Sequence, residues 1–280
     1  MSMKKIGFVG AGSMAEAMIN GILQSGITKP EHIYITNRSN DERLIELKET
    51  YGVRPCRDKN EFFTHTDIII LAFKPKDAAE SIDSIRPYIK DQLVISVLAG
   101  LTIETIQHYF GRKLAVIRVM PNTSAAIRKS ATGFSVSTEA SKNDIIAAKA
   151  LLETIGDATL VEERHLDAVT AIAGSGPAYV YRYIEAMEKA AQKVGLDKET
   201  AKALILQTME GATDMLLQSG KQPEKLRKEI TSPGGTTEAG LRALQDSRFE
   251  EAIIHCIEET AKRSAEIKEQ FAGAALERHS

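Results

Sequence analysis

The spacing of apolar positions changes character partway along the chain. Through residue 162, short β-branched runs alternate with amphipathic stretches, the pattern of strands joined through helices into a parallel sheet. Strands are predicted at residues 5–9, 32–36, 67–73, 93–98 and 114–119, then at 132–137 and 158–162. The third and fourth are almost unbroken Val/Ile/Leu runs, as expected of strands buried on both faces. The expected fold class is α/β, with a doubly wound N-terminal sheet followed by an all-helical domain.

From residue 163 to residue 280, Ala-, Leu-, Met- and Glu-rich stretches repeat every three to four positions, which predicts helices throughout. One carries Val180, Ile184, Met187 and Ala191 on a face. Another opens at Asp197 and carries Leu204, Thr208, Gly211 and Met215. A last one carries Ile253, Ile257, Thr260 and Ile267. The middle helix is apolar on more than one side. Because a few helices make a thin core, the surplus apolar surface is expected to pack against a second copy, giving a homodimer through this half.

Composition narrows the function classes. The chain has 280 residues, 36 Lys plus Arg against 38 Asp plus Glu, and 43% hydrophobic residues. That balance offers no basic face for nucleic acid. The longest apolar run, Ile68 through Phe73, is far short of the roughly 20 residues that span a bilayer. No long apolar segment precedes Ile6-Gly7-Phe8-Val9, so no secretory signal is visible and a cytoplasmic location is expected. Cys56 and Cys256 lie far apart without His at ligand spacing, which suggests reduced thiols and no zinc site. The histidines at 32, 65, 108, 165, 255 and 279 form no metal or triad motif.

The chemistry begins after the first strand. Val9 leads into Gly10-Ala11-Gly12-Ser13-Met14-Ala15, which fits the dinucleotide fingerprint G-x-G-x-x-G/A with a strand before it and a helix after. Gly10 permits the tight turn, Gly12 lets backbone approach a pyrophosphate, and Ala15 allows helix-on-strand packing, while the helix N-terminus offers N–H groups to the anion. The first domain, residues 1–162, is therefore expected to be of Rossmann type.

At the end of the second strand, where NAD sites place an acid, the chain has Thr36-Asn37-Arg38-Ser39. A guanidinium among hydroxyl and amide groups suits a 2′-phosphate, so NADPH is the expected donor, with NADH as the alternative. Arg38 as a plain solvated charge is the competing reading. Further turns close the later strands: Ala72-Phe73-Lys74-Pro75, Ala99-Gly100 and Pro121-Asn122-Thr123. All fall at carboxyl ends, which share one edge of an open parallel sheet, where ligands bind.

The helical half holds two unusual segments, Ala173-Gly174-Ser175-Gly176-Pro177-Ala178-Tyr179 and Thr231-Ser232-Pro233-Gly234-Gly235-Thr236-Thr237. In the second, Pro233 and the glycines stop one helix and Thr236 or Thr237 is placed to cap the next, leaving hydroxyls and N–H groups around a small volume suited to a carboxylate. An ordinary interhelical turn would need no ligand.

Together these motifs, with Arg118-Val119-Met120-Pro121-Asn122-Thr123, resemble the pyrroline-5-carboxylate reductase family over nearly the whole chain. Two departures stand out: Ser124 where a Pro often follows the Asn-Thr pair, and Phe73 where a Val is usual. The resemblance implies an NADP-binding Rossmann domain (1–162) and a helical substrate-binding and dimerisation domain (163–280), assembled as a homodimer and sometimes as rings of five dimers. It implies hydride transfer to the C=N carbon of a five-membered ring imine, giving L-proline in the last step of proline biosynthesis. The substrate carboxylate is expected on Ser232, Gly235, Thr236 and Thr237, with Thr237 near the imine nitrogen as the candidate proton relay. Cofactor contacts are expected from Val9, Gly10, Ala11, Gly12, Ser13 and Met14, from Asn37, Arg38 and Ser39, from Ala72, Phe73, Lys74 and Pro75, and from Ala99, Gly100 and Asn122.

A reductase of another cyclic or acyclic imine stays open, because a turn that holds a carboxylate says little about ring size, and two other classes bear on the reading. A β-hydroxyacid dehydrogenase shares the layout but uses a helix lysine with an asparagine four residues later, and here Lys189 is followed by Lys193. A catalytically silent NADPH sensor would need no segment like 232–237.

Overall fold

The computed structural model describes residues 4–277, so the opening Met1-Ser2-Met3 and His279 lie outside the described residues. An eight-stranded sheet is built from β1 (Ile6–Val9), β2 (Ile33–Thr36), β3 (Arg54–Pro55), β4 (Ile68–Leu71), β5 (Leu93–Ser96), β6 (Val116–Met120), β7 (Ser130–Val136) and β8 (Gly156–Leu160). Their spatial order is β3-β2-β1-β4-β5-β6-β7-β8. The chain runs outward from β1 to β3 and then restarts at β4 on the other side of β1, so the strand order reverses between β1 and β4.

Every neighbouring pair is parallel except β6 and β7. That one pair departs from the parallel arrangement the alternating pattern predicts. A parallel return needs a crossover of about a dozen residues or more, and the link from Met120 to Ser130 holds only the short helical turn Thr123–Ile127. β3 escapes periodicity altogether, because it is two residues long and one of them is Pro55, tolerated at an edge.

The unbroken apolar runs are explained by alternation between two layers. In β4, Ile68 and Ile70 face one core with Phe8, Met18 and Ile35, while Ile69 and Leu71 face another with Phe62, Ile82 and Ile106. Helix starts follow capping chemistry: the Asn40 side chain accepts from Arg43 N at 2.9 Å to open the helix Asp41–Tyr51, and Thr102 and Ser141 do the same for Ile103–Phe110 and Lys142–Leu152.

By compactness the chain forms two units, one from residues up to Ser175 together with those from Thr260 onward, the other Gly176–Glu259. The first unit includes the end of the long helix Phe249–Glu277, which lays Phe271 and Ala275 on the second core layer. Lys268 pairs with Asp167, and Ser264 Oγ donates to Asp167 Oδ1 at 2.8 Å. His108 Nε2 donates to the Ala275 carbonyl at 2.9 Å.

The second unit contains the helices Gly176–Lys193, Lys198–Ser219, Pro223–Glu229 and Thr236–Asp246. Asp197 caps the second of these, accepting from Thr200 N at 3.0 Å. Among the described residues of this unit, only Ala201 and Ile205 are buried hydrophobics, while Val194, Leu217 and Ile230 are 85%, 76% and 71% exposed. No helix among the described residues is long and apolar enough to cross a membrane.

Candidate active site

The glycine turn sits at the sheet edge where the strand order reverses. Gly10 N donates to Thr36 O at 2.8 Å, and its φ of +113° is one that L side chains rarely adopt. A Cβ there would lie 2.3 Å from the Ala72 carbonyl, so only glycine lets β1 run this close to the end of β4. At Gly12 the situation is the reverse, because an added Cβ meets no protein atom within 4 Å. Gly12 is also the N-cap of the helix Ser13–Ser25, with no side chain capping it, so the first-turn N–H groups face this open space. Ala15 is fully buried beneath the helix. An open cradle over a glycine, at a helix N-terminus, fits the pyrophosphate of a dinucleotide.

The register aligns Val9 with Thr36 and Leu71, and Leu71 with Ser96, so the carboxyl ends of β1, β2, β4 and β5 are level. The segments that follow them wall a cleft of about 820 Å³. Residues Val9 to Met14, Asn37 and Arg38, Ala72 to Pro75, and Ala99 all line it. Three expected contacts stand outside this lining. Ser39 is exposed on the same turn as Arg38. Gly100, with φ +81°, faces Ile267, where a Cβ would come within 2.7 Å. Asn122 is spent on backbone: its Oδ1 accepts from Ser124 N at 3.0 Å and its Nδ2 donates to Ala173 O at 3.0 Å. That carbonyl belongs to a widened helical turn, Thr170–Gly174.

Cations crowd the far end of the cleft. Arg38 pairs with Glu80 at 3.1 Å, both side chains well exposed. Arg57 and Lys59, which follow β3, also line the cleft and were not legible as site residues, since a two-residue edge strand carries no periodic signal. Arg57 grips the turn after β2, donating to Asp41 Oδ1 at 2.9 Å and Asn37 Oδ1 at 3.0 Å, and also to the Asn37 carbonyl. Lys59 Nζ donates to Ser84 O at 2.9 Å. Beside them, burial pushes the Cys56 thiol above its ordinary range, aided by the charges of Glu61 and Asp58, while its Sγ donates to Asp58 O at 3.3 Å.

Behind the glycine turn lies a second cluster. Arg43 Nε donates to the Ala11 carbonyl at 3.1 Å, while its terminal nitrogens pair with Glu16 and, at 2.7 Å, with Glu46. Tyr51 Oη donates to Glu16 at 3.2 Å. Hydrogen bonds to Glu46 and then Glu16 raise the Arg43 pKa further above its ordinary value. No motif marks this residue, because Ala11 and Glu16 come from another strand-to-helix turn.

The segment 232–237 lies in the second unit. Gly234 has φ +70°, and Gly235 N donates back to Ser232 O at 3.0 Å, closing a tight turn. A Cβ on Gly235 would meet Ser232 Oγ at 2.7 Å, so the hydroxyl folds over the glycine. Neither Thr236 nor Thr237 caps the helix Thr236–Asp246, contrary to expectation. Gly235 is the N-cap without a side-chain bond, and Glu238 reaches back to accept from Gly234 N at 2.8 Å. The Gly235 amide is thus used within the turn, whereas those of Thr236, Thr237 and Glu238 belong to a first helical turn and have no intrahelical acceptor. Such amides suit a carboxylate.

Residues 163–267 match the family model described as pyrroline-5-carboxylate reductase dimerisation, and residues 5–100 match that of NADP oxidoreductase coenzyme F420-dependent. The chain is 99% identical over 278 residues to pyrroline-5-carboxylate reductase 2 of Bacillus subtilis (strain 168), covering 99% of this chain and 100% of that one. Among solved structures it is similar to a pyrroline-5-carboxylate reductase from Coxiella burnetii, with TM-score 0.88 and 32% identity over 95% of this chain and 99% of that one. It is also similar to Plasmodium falciparum pyrroline carboxylate reductase with NADP bound, with TM-score 0.86 and 30% identity over 96% and 99%. With such identity over almost all of its length, the chain belongs to the pyrroline-5-carboxylate reductase family.

Proposed function

We propose that this chain reduces 1-pyrroline-5-carboxylate to L-proline with NADPH as the donor, as the last step of proline biosynthesis. The observation that carries the reading is the turn at residues 232–237, whose following helix keeps its first amides unspent, in a chain nearly identical to a protein of that name. When bound, the reduced nicotinamide supplies a hydride to the C=N carbon of the ring. The protein's own work is binding and orientation. The amides at Gly12 and the first turn of the helix Ser13–Ser25 take the pyrophosphate. Arg38, with Arg57 beside it, takes the 2′-phosphate, exchanging an exposed partner in Glu80 for a doubly charged one. Asn37, Ser39, the turn Ala72-Phe73-Lys74-Pro75 and the ends at Ala99, Gly100 and Asn122 complete the cofactor set, the last two through backbone placement.

The substrate carboxylate is held by the Ser232 hydroxyl and the amides of Thr236 and Thr237, with Gly235 shaping the turn. An imine already protonated in solution needs orientation more than a strong acid. The Thr237 hydroxyl, near the nitrogen, relays a proton from water if one is required. Residues 1–162 form the cofactor domain and 163–280 the substrate-binding and dimerisation domain of a cytoplasmic homodimer, which can assemble further into rings of five.

The test follows oxidation of NADPH at its absorbance band with the imine, with NADH and a series of hydroxyacids alongside. Turnover with the imine alone, faster with NADPH, is expected. Binding of NADPH without turnover on any substrate would discard the reductase reading.

A further inference from the structure

We infer that Arg43 is a positioning residue for the cofactor, setting the direction of the peptide between Ala11 and Gly12 in the dinucleotide turn. This rests on the dinucleotide reading of the cleft and adds a residue outside the fingerprint. A trans peptide is planar, and its C=O and N–H point in opposite directions. Arg43 Nε holds the Ala11 carbonyl at 3.1 Å, so the Gly12 N–H is directed away from the guanidinium. Gly12 and Ala11 line the cleft while Arg43 does not, so the side chain fixes the turn from behind and leaves the cleft face to the ligand. Without that bond, the two glycines flanking Ala11 leave this peptide easy to rotate, since glycine imposes little conformational restraint.

Arg43 is itself held on every side. The Asn40 side chain accepts from its backbone N–H at 2.9 Å, which starts its helix in register with the end of β2. Glu16 and Glu46 hold the two terminal nitrogens, and Tyr51 holds Glu16. Only a guanidinium presents Nε in one direction and two further nitrogens in others within one rigid plane. The two carboxylates also offset its charge, so its effect on an anionic ligand comes through the carbonyl bond rather than through attraction.

The test is calorimetric binding of NADPH and NADH to the intact chain, with steady-state kinetics on the imine. Arg43→Ala is expected to weaken both nucleotides by the same factor, about five- to tenfold, as loss of one hydrogen bond to a charged donor implies, with kcat at saturating cofactor within about twofold. Arg43→Lys keeps the charge and is gentler on folding, yet lacks the fork, and it is expected to remain weakened severalfold for both. Glu46→Ala, which removes one partner of Arg43 but no contact to the turn, is expected to bind both within about twofold. Full affinity in Arg43→Lys would overturn the proposal in favour of simple charge, and a loss confined to NADPH would overturn it in favour of 2′-phosphate contact. Unchanged affinity with a lowered melting temperature would reduce Arg43 to a stabilising role. Failure of the unaltered protein to bind either nucleotide would instead sink the dinucleotide reading itself.

Discussion

Two glycines two positions apart serve opposite ends, and substitution separates them. Gly10→Ala places a methyl 2.3 Å from the Ala72 carbonyl at φ +113°, so it should cost the fold about 2 kcal/mol or more and lower the melting temperature measurably. Gly12→Ala meets no protein atom, so its melting temperature should match the unaltered protein while NADPH titration shows affinity reduced by tenfold or more. Arg38→Ala should raise KM for NADPH far above any change for NADH, because the exposed pair it makes with Glu80 is worth only about 0–1 kcal/mol and yields readily to a phosphate. Equal effects on both cofactors would refute the assignment. Cys56 carries a pH consequence. Its folded thiol holds the proton more tightly than the unfolded one, so the stabilisation is fully present below the ordinary thiol pKa of about 8.5 and is lost as pH rises through the higher folded value. Denaturation midpoints should therefore fall less steeply for Cys56→Ala than for the unaltered protein between about pH 8 and 10.

At the level of elements, the buried centre of the sheet was the most readable part of the chain. β1, β2, β4 and β5 fall within the predicted strands, because residues facing two apolar layers leave an unbroken signature. β3 did not, and with it went Arg57, whose role depends on which turn the edge strand touches. The antiparallel β7 was read as a strand but not in its direction, since direction is decided by the length of the link from β6. The substrate turn shows the same division. Its glycines and hydroxyls were visible in sequence, whereas the helix starts from Gly235 without a side-chain cap, and Glu238, the third residue of the helix, bends its carboxylate back to Gly234. If the turn holds the substrate carboxylate, Thr237→Ala should raise KM for the imine or lower kcat by about fivefold or more, the cost of one lost polar contact. Values within twofold in steady-state assays would remove Thr237 from the site.

For the whole molecule, the unit Gly176–Glu259 is the part with few buried hydrophobics among the described residues. With Ala201 and Ile205 as its buried hydrophobics among the described residues, and with Met187, Leu204 and Met215 exposed, it has little of the apolar burial that offsets conformational entropy. A partner copy supplies the missing surface in the proposed dimer, and Leu204→Glu should yield monomers by light scattering together with loss of activity. Dimers that survive this change would place the contact elsewhere. A different consequence follows from the long helix that ends against the sheet. During synthesis on the ribosome, every strand emerges well before Phe271 and Ala275, the side chains that cover the layer beneath Gly100 and Ile106. The nascent sheet must therefore wait with that flank exposed, so the polypeptide's late residues govern when it becomes safe from aggregation and chaperone capture.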